Sequence, residues 1–241
     1  MSIGSGITII IVTFNAAKLL EATITSVIKL DNIISELIII DGASTDETVT
    51  IIKKYSVNIN IWISEADSGI YNAMNKGWNL ANPDNYILYL GAGDKIISLP
   101  DKNILEKDCI YFGDVWIGDL YPFKSRIDWR LKYGNTLHHQ SLLIPKSLFL
   151  KSPFDERFKI FADFDFNQRL FKSKRKFIAC SQVKAFALPG GISDDSTDLE
   201  WLAIIYKNYG AGFAVLGYLH FVYQKINKVY LVTKNRKNKP H

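Results

Sequence analysis

The first hundred residues alternate between two hydrophobic periods, and this alternation restricts the fold more than any other feature of the sequence. Short apolar runs rich in β-branched residues predict buried strands. Between them, apolar residues recur three and four positions apart, as on one face of a helix. The predicted strands are Ile7–Thr13, Glu36–Ile40, Ile59–Ile63 and Tyr86–Leu90, and the predicted helices cover 16–29, 44–55 and 70–81. Strands that alternate with helices through short links form βαβ units, so we expect an α/β fold with a mostly parallel sheet.

The second of these helices has a start signal in the sequence. Ser44 is followed three residues later by Glu47, the spacing of a capping box. In that motif the two side chains bond each other's backbone N–H groups. We therefore expect the helix to begin at Ser44 and to run to about Tyr55.

The second half of the chain has a less regular pattern. It predicts strands at Cys109–Gly113 and Ser141–Ile144 and a helix over Asp163–Lys172. Pro189–Ser196 has loop composition, which suits either a lid that closes over a ligand or a plain connection. Two aromatic-rich helices, 199–209 and 213–232, are expected to follow it.

The distribution of charge excludes a basic body built to bind nucleic acid. Lys and Arg number 29 against 24 Asp and Glu, a net charge of +5, and 48% of the residues are apolar, as in globular proteins. The segment 224–241 contains six of the basic residues and no acidic one. The preceding 223 residues therefore carry 23 basic and 24 acidic residues, a net charge of −1. The excess positive charge belongs to the C-terminal segment alone.

Cysteine usage and hydropathy favour a cytoplasmic protein. Cys109 and Cys180 both lie in apolar runs and are expected to be buried, reduced thiols, which excludes a disulfide framework. The first 15 residues lack the basic segment and cleavage site of a signal peptide. The sequence also has no uninterrupted apolar run of about 18 residues, the length needed for a membrane-spanning helix.

The predicted C-terminal helices combine aromatic side chains with a basic end. Residues 199–233 contain eight aromatic residues, and lysines and arginines follow them. This combination fits a helix that lies in a membrane interface, here the inner face of the plasma membrane. The same helices would equally form a pair that packs on the rest of the chain, or on a second subunit in a homodimer. Of these readings we favour peripheral membrane contact.

Polar residues collect where all four predicted strands end. They lie in 13–15, 41–46, 64–69 and 91–94. In an open parallel sheet, ligands bind beyond the carboxyl ends of the strands. One such loop would be ordinary turn chemistry, because Asp, Asn, Ser and Gly suit turns and helix caps. Four such loops at one edge of the sheet favour a binding site.

Three segments at this edge also resemble a known family. Ile-Val-Thr-Phe-Asn (11–15), Ile-Ile-Asp-Gly-Ala-Ser-Thr-Asp-Glu-Thr (39–48) and Ser-Glu-Ala-Asp-Ser-Gly-Ile-Tyr-Asn-Ala-Met-Asn-Lys-Gly (64–77) are, in this order, similar to the family 2 glycosyltransferases with the GT-A fold. The resemblance is close over 6–95 and looser around Asp163. It implies a GT-A (Rossmann-like) sheet flanked by helices. The catalytic domain would cover 1–198, with a nucleotide-binding half over 1–95 and an acceptor half over 96–198, and a C-terminal helical extension would cover 199–241.

The resemblance implies a nucleotide-sugar donor, UDP-linked, at the edge of the sheet. Phe14 would offer a face to the base, and Asp41 would accept a hydrogen bond from the uracil imide or the ribose. The alternatives are that Phe14 belongs to the core and that Asp41 forms an Asx turn. The other residues implied for this pocket are Thr13, Asn15, Asp67, Gly69, Lys76 and Gly93. Lys76 would reach a phosphate as a point charge, or would simply belong to the solvated polar face that it shares with Asn75.

The metal site implied by the resemblance rests on Asp94. Members of the family usually carry an Asp-x-Asp pattern here, whereas this chain reads Gly91-Ala92-Gly93-Asp94. One carboxylate is still compatible with Mg²⁺ or Mn²⁺, because such ions take further ligands from substrate phosphates and water. The glycines would let the backbone approach the substrate closely.

The catalytic base implied by the resemblance is Asp163, in Phe-Ala-Asp-Phe-Asp. An inverting transfer needs a carboxylate that takes the proton of the acceptor hydroxyl. Asp163 would also serve as the N-cap of its helix, and the two roles are compatible. Asp165 is the fallback candidate. His138 and His139 precede a strand and are candidates to face the acceptor or the metal.

The sequence therefore predicts an inverting, metal-dependent glycosyltransferase of bacterial surface polysaccharide synthesis, with a glycan or polyprenyl-linked acceptor. The alternative is a nucleotide-binding, catalytically weak module with a structural or interaction role, since the Asp-x-Asp pattern is incomplete. A dehydrogenase is excluded, because the turn after the first strand lacks the Gly-x-Gly-x-x-Gly that admits a pyrophosphate.

Overall fold

A computed structural model describes residues 6–30, 32–118, 121–149, 151–190, 199–219 and 221–223. The chain folds into a nine-stranded mixed sheet flanked by helices. The strands are β1 (Ile7–Thr13), β2 (Glu36–Asp41), β3 (Ile61–Ser64), β4 (Tyr86–Gly91), β5 (Lys95–Ser98), β6 (Ile110–Ile117), β7 (Tyr121–Phe123), β8 (Leu142–Pro145) and β9 (Phe177–Ala187). The helices are α1 (Ala17–Ile28), α2 (Thr48–Lys54), α3 (Ile70–Leu80), α4 (Ala162–Lys172) and α5 (Glu200–Tyr209).

The first four strands form the parallel sheet that the hydrophobic periods predicted. Their order is β3-β2-β1-β4, and every neighbouring pair among them is parallel. All seven residues of β1 are buried, as expected for a central strand. The register places Thr13 beside Asp41 and Asp41 beside Ser64, so the carboxyl ends of three strands meet at one edge. The α/β prediction is confirmed for this half.

The second half extends the same sheet with mostly antiparallel pairs. β8 pairs antiparallel with both β4 and β6, and β9 pairs parallel with β6 and antiparallel with β5. β6, β8, α4 and α5 were predicted within a few residues, whereas β5, β7 and β9 were not. Buried and exposed positions follow one another irregularly over much of β9, so its hydrophobic pattern lacks a clear period of two.

The predicted capping box at the start of α2 is wrong. The helix begins at Thr48, and Glu47 makes no side-chain cap. The hydroxyl of Ser44 instead donates to the buried carboxylate of Asp41, and the N–H of Thr48 donates to Asp46 (3.0 Å). A fully buried carboxylate needs hydrogen-bond donors. The Ser44 hydroxyl donates to Asp41, so it does not cap the helix.

Helices cover both faces of the sheet. On one face α3, α4 and α5 contribute to a core that includes Met74, Phe164 and Ile204, and on the other face α1 supplies Leu20 and Ile24 to a second core. The helix α3 approaches β1 closely at Gly77, where a Cβ atom would collide with Ile10.

The described part of the C-terminal region packs on the body of the protein. Ile204 and Ile205 of α5 are fully buried. Glu200 accepts hydrogen bonds from the backbone N–H groups of 159–161, just before α4 (2.7–3.0 Å). A further helical segment covers 211–219. Among the described residues, no helix is long and apolar enough to cross a membrane.

Three expectations about the rest of the chain have mixed outcomes. Cys109 is buried, but Cys180 is only half-buried, so the expectation of two buried thiols is wrong for Cys180. Most of the predicted loop Pro189–Ser196 lies outside the described residues, as do 224–232 of the predicted final helix and the basic segment.

Candidate active site

The loop after β1 is tied to the loop after β2, and it leaves an aromatic ring exposed. Asn15 has a positive φ of 47°. Its backbone N–H donates to the Ser44 hydroxyl (2.7 Å), and its side-chain carbonyl accepts from the N–H of Thr45 (2.8 Å). Phe14 is 61% exposed, so it does not belong to the core. An exposed ring at this edge of the sheet is available to a planar ligand.

Asp41 is fully buried and bonded within the protein. Its carboxylate accepts hydrogen bonds from the N–H of Ser44 (2.9 Å) and from the hydroxyls of Ser44 and Ser64 (2.6 Å for Ser64). This is the turn-forming arrangement that the sequence left open as an alternative. In this structure Asp41 orders the loop, and it would reach a ligand through the two serine hydroxyls. The hydroxyl of Thr13 is buried and has no hydrogen-bond partner among the described residues.

Gly42 lies beside both Phe14 and Asp67. A Cβ atom at position 42 would stand 2.7 Å from Oδ2 of Asp67 and 3.4 Å from the ring of Phe14. The other carboxylate oxygen of Asp67 accepts from the N–H of Gly69 (2.9 Å), whose φ is 126°. The structure thus brings Phe14 and Asp67, both predicted for the donor pocket, together beside one glycine.

Lys76 braces the loop after β3. Its ammonium donates to the carbonyl of Ala66 (2.9 Å) and pairs with Glu65 (2.8 Å). The ammonium is therefore already bound within the protein. The expectation of a solvated polar face on α3 is wrong for Asn75, which is buried and donates to Glu156 (2.9 Å).

Asp94 is enclosed by donors at the end of β4. Its side chain is 6% exposed. One oxygen accepts from the N–H of Gly91 (2.8 Å) and the amide of Gln140 (3.1 Å), and the other accepts from the N–H of Leu188 (3.0 Å). Gly93, with a φ of 105°, donates its N–H to Thr23 (2.8 Å) and faces Leu188. The backbone at Gly93 is thus covered by protein.

The residues around Asp94 fit a divalent ion that brings most of its own ligands. A carboxylate has about four lone-pair sites, and the three N–H bonds leave about one of them free, on Oδ1. The carbonyl oxygen of Gln140, whose amide nitrogen bonds Asp94, is buried and accepts no hydrogen bond within the described residues. In the described ranges, no three His, Cys, Asp or Glu side chains are grouped to hold a metal. Such an ion would depend on phosphate and water oxygens for its other ligands.

Asp163 lies in the first turn of α4 and is 17% exposed. The N-cap position belongs to Phe161, so the expectation that Asp163 caps the helix is wrong. Oδ2 accepts from the amide of Asn135 (3.0 Å) and lies 3.7 Å from Nδ1 of His139. The hydroxyl of Tyr71 lies 3.2 Å from Oδ1. Groups from two distant parts of the chain, Tyr71 and the stretch 135–139, therefore fix this carboxylate.

The surroundings of Asp163 keep it ionised. Burial alone would raise the pKa of its carboxyl, but the adjacent imidazole of His139, the positive charge that His138 takes up when it is protonated, and the N–H of Phe164 together hold that pKa below its ordinary value. The carboxylate is consequently deprotonated at neutral pH, the state in which it can accept a proton.

The segment His138–Gln140 joins the two carboxylates. Gln140 donates to Asp94, His139 lies beside Asp163, and the ring of His138 packs edge-on against Phe123 at 4.4 Å between centroids. Burial, and then the charge of His139, lower the pKa of His138. His138 is therefore neutral at pH 7.

Asp165, the fallback candidate for the base, has a different environment. It is fully buried and paired with Arg169 (2.8 Å) and Lys207 (2.8 Å), and it also accepts from Asn208 (3.0 Å). These contacts leave no carboxylate surface for an acceptor hydroxyl.

Sequence reasoning missed the residues that hold the two acids in place. These are Tyr71, Asn135, Asn167 and Gln140. Tyr71 lies inside the 64–77 segment that carried the family resemblance, so that segment contained a signal. Asn135 lies in a stretch without hydrophobic period, and nothing in the sequence distinguished it.

Known proteins resemble this chain in sequence and in fold. The sequence model of "Glycosyl transferase family 2" matches residues 8–95. Two relatives, each named "PGL/p-HBAD biosynthesis glycosyltransferase", come from Mycobacterium bovis (strain BCG / Pasteur 1173P2) and Mycobacterium tuberculosis (strain ATCC 25177 / H37Ra). Each is 30% identical over 215 residues, which is 80% of this chain and 81% of the relative.

Solved structures share the fold at lower identity. Staphylococcus aureus TarS 1-349 in complex with UDP-GlcNAc has a TM-score of 0.64 and 18% identity, over 84% of this chain and 66% of that chain. The mannosyltransferase PcManGT from Pyrobaculum calidifontis, in complex with GDP-Man and Mn²⁺, has a TM-score of 0.55 and 14% identity, over 84% and 61%. This chain thus spans less than two thirds of either solved chain. On the family match and the mycobacterial relatives, the chain belongs to glycosyl transferase family 2 and is a glycosyltransferase with the GT-A fold.

Proposed function

We propose that the protein is an inverting glycosyltransferase that moves a sugar from a UDP-linked donor to a glycan or lipid-linked acceptor in bacterial surface polysaccharide synthesis. The observation that carries the proposal is the His138–Gln140 segment, which bonds Asp94 through Gln140 and places His139 beside Asp163. Three consecutive residues thereby link two carboxylates. Asp94 follows a parallel strand, and Asp163 is ionised and suited to be a base.

The donor site in this proposal lies at the carboxyl ends of β1, β2 and β3. Phe14 offers its exposed ring to the base, and Asp67 lies near it beside Gly42. Asp41 acts through the hydroxyls of Ser44 and Ser64. Solved structures of the same fold hold UDP-GlcNAc and GDP-Man, which supports a nucleotide-sugar donor. The family resemblance of segments 11–15 and 39–48 favours UDP as the nucleotide.

In the proposed chemical step, Asp163 is the base. Its carboxylate takes the proton of the acceptor hydroxyl while that oxygen bonds to the anomeric carbon and the bond from that carbon to the diphosphate breaks. The products are the glycoside, the nucleoside diphosphate and a protonated Asp163, which then releases its proton to solvent. Asn135, His139 and Tyr71 hold the carboxylate throughout. When bound at Asp94, Mg²⁺ or Mn²⁺ would supply Lewis-acid neutralisation of the leaving diphosphate.

The test of this function is Asp163→Asn, which keeps the shape of the side chain and removes the base. We expect transfer to fall by about 10²–10⁴-fold, with unchanged affinity for UDP. Asp84→Asn, at an exposed loop position before β4, is the matched control and should retain full activity. If wild type turns over none of the UDP-, GDP- or dTDP-sugars yet binds UDP, the alternative of a catalytically weak binding module stands.

The metal assignment has its own test. Asp94→Ala removes the carboxylate, and we expect the affinity for UDP to lose its dependence on Mn²⁺ in calorimetric titrations. Melting curves of both proteins check that the enclosed site still folds. A variant whose affinity for UDP still rises with Mn²⁺ as in wild type would contradict the role of Asp94.

We also propose that the extension 199–241 contacts the inner face of the plasma membrane peripherally, as part of a cytoplasmic protein whose catalytic domain covers 1–198. In support, the helical segment 211–219 and the residues after it expose large apolar side chains: Val215, Leu216, Tyr218, Leu219 and Tyr223. The basic residues of 224–241 would add attraction to anionic lipid. Sedimentation with vesicles that contain phosphatidylglycerol should recover the full chain and not a chain that ends at Tyr223. Equal recovery would contradict the proposal and favour a homodimer or packing on the body.

A further inference from the structure

A cavity of about 720 Å³ lies next to the candidate base. It is bounded by the turn at Trp129–Lys132, the start of α4, α5 and the helical segment that begins at residue 211. Six aromatic side chains line it: Trp129, Tyr133, Phe161, Phe164, Trp201 and Phe221. Its volume is within the range of about 300–1,000 Å³ that is typical of small-molecule sites.

The cavity is continuous with the surroundings of Asp163. Asn135 lines the cavity and also donates to Oδ2 of Asp163 (3.0 Å). Phe164, another lining residue, donates its N–H to Oδ1 of the same carboxylate (2.7 Å). A molecule in the cavity would therefore stand one side chain away from the proposed base.

The lining favours an apolar ligand. Arg130 is the charged residue of the wall, and it is paired with Asp128 (3.1 Å) at a half-exposed position. Gly217 contributes no side chain to the wall: a Cβ atom there would lie 3.1 Å from Ile205 and in van der Waals contact with Trp201 (3.5 Å) and Tyr133 (3.6 Å). Asn135 and Thr136 place polar groups at the part of the wall that leads to Asp163.

We propose that this cavity binds the apolar carrier, an alkyl or aryl group, to which the acceptor sugar is attached. The inference rests on the proposed function and specifies its acceptor class. The carrier fills the aromatic cavity, and the sugar extends past Asn135 so that its hydroxyl reaches Asp163. Leu216 is a wall residue that is 55% exposed on the apolar surface of the 211–219 segment, so the cavity adjoins the surface from which a membrane-held carrier would enter.

The test compares two probes that share one sugar, n-octyl β-D-glucoside below its micellar concentration and methyl β-D-glucoside. Calorimetry on the full chain with UDP present should show that the octyl glucoside binds more than about tenfold more tightly, because each buried methylene contributes about 0.8 kcal/mol. Leu216→Glu puts a charge in the wall at a position exposed enough to tolerate it, and it should abolish this preference. Leu219→Glu is the matched control: Leu219 is 57% exposed on the same segment and is not in the wall, so the preference should persist.

The outcomes separate this inference from the proposed function. Equal affinities of wild type for the two glucosides overturn the inference, and so does an equal loss in both variants, which indicates adsorption to the surface. UDP affinity and donor turnover, measured on the same proteins, report the donor site separately. If wild type prefers the octyl glucoside but turns over no donor, the cavity binds an apolar molecule that is not an acceptor, and both proposals fail.

Discussion

At the scale of the residue, the lack of a side chain at Gly42 shapes the proposed donor pocket. A Cβ atom at this position would lie 2.7 Å from the Asp67 carboxylate, which is too close. The carboxylate is the end of a mobile side chain, and it would yield by turning away from the N–H of Gly69, which it now accepts from. The pocket would change its shape while the core stays intact.

We therefore predict that Gly42→Ala weakens UDP binding and lowers the free energy of unfolding by less than about 1 kcal/mol, as for a substitution outside the core. Calorimetry and urea unfolding measure the two effects. Gly212→Ala, in a helix with free space around position 212, is the control and should leave UDP affinity unchanged. Unchanged affinity in Gly42→Ala would place the donor elsewhere.

The second residue-scale prediction concerns pH and His138. Burial lowers the pKa of His138 below its ordinary 6.5, so the unfolded chain binds a proton at higher pH than the folded protein does. Above pH 6.5, the titration of His138 does not change the free energy of unfolding. As the pH falls from 6.5 toward the pKa of His138 in the folded protein, this free energy decreases. His139 also lowers the pKa of this imidazole, whereas Asp163, Gln140 and Asp94 oppose the shift.

We expect the melting temperature of wild type to fall between pH 7.5 and 5.0, and that of His138→Gln to fall less. The carboxyl of Asp163, whose pKa is lowered, titrates below this window and does not mask the effect. Parallel curves for the two proteins would show that His138 is not the group responsible.

At the scale of the element, close approach of α3 to β1 positions the loop that carries Asp67 and Gly69. The helix begins directly after Gly69, and Gly77 in its middle contacts the strand at Ile10. Nothing larger than glycine fits there without movement of the helix. Gly77 thus determines the distance between α3 and the sheet. It lies eight positions after Gly69, the last residue of the loop that α3 positions.

We predict that Gly77→Ala lowers the free energy of unfolding by about 1–3 kcal/mol, the usual result of overpacking a filled core. The gain of about 1 kcal/mol in helix propensity from Gly to Ala offsets part of this loss. Gly212→Ala has the same gain without the collision and should be neutral or stabilising in urea unfolding. Equal effects of the two substitutions would contradict the packing argument.

At the scale of the whole molecule, ion pairs fasten α5 to the catalytic body. Lys207 of α5 binds both Asp155 (2.9 Å) and the fully buried Asp165 (2.8 Å), while Glu200 at the other end of α5 holds the N–H groups before α4. The helix therefore supports both Asp163 and one wall of the aromatic cavity. The proposed boundary at residue 198 was drawn from the sequence pattern. In the structure, α5 lies after this boundary and packs against residues that precede it.

We predict that Lys207→Met costs about 1.5–3 kcal/mol of stability, because it leaves a buried carboxylate with fewer donors. Lys54→Met breaks a comparable pair with Glu21, but those side chains are 62% and 47% exposed, and the expected loss is under about 1 kcal/mol. Urea unfolding of both variants at pH 7 tests the difference. Equal losses would show that α5 is not fastened in this way.

The parallel half of the fold and the family follow from local patterns in the chain. Ile7–Thr13 is apolar at nearly every position because both of its faces are covered, and each helix shows its own buried stripe, so burial along one element is visible in its sequence. Each polar segment at a strand end is likewise one continuous stretch of sequence, so the family resemblance was visible in the sequence too. The long strand β9 left no such period, and its position depends on pairing with β6 and β5.

The roles of the carboxylates depended on contacts between distant segments. Asp41, Asp163 and Asp165 carry the same side chain, yet of the three only Asp163 is within reach of solvent. Asn135, Tyr71 and His139 come to its carboxylate from other parts of the chain. The aromatic cavity likewise assembles from 129–136, 161–164 and 201–221. A hydrophobic period reports one element at a time, whereas a pKa or a cavity is a property of groups that only the folded chain brings together.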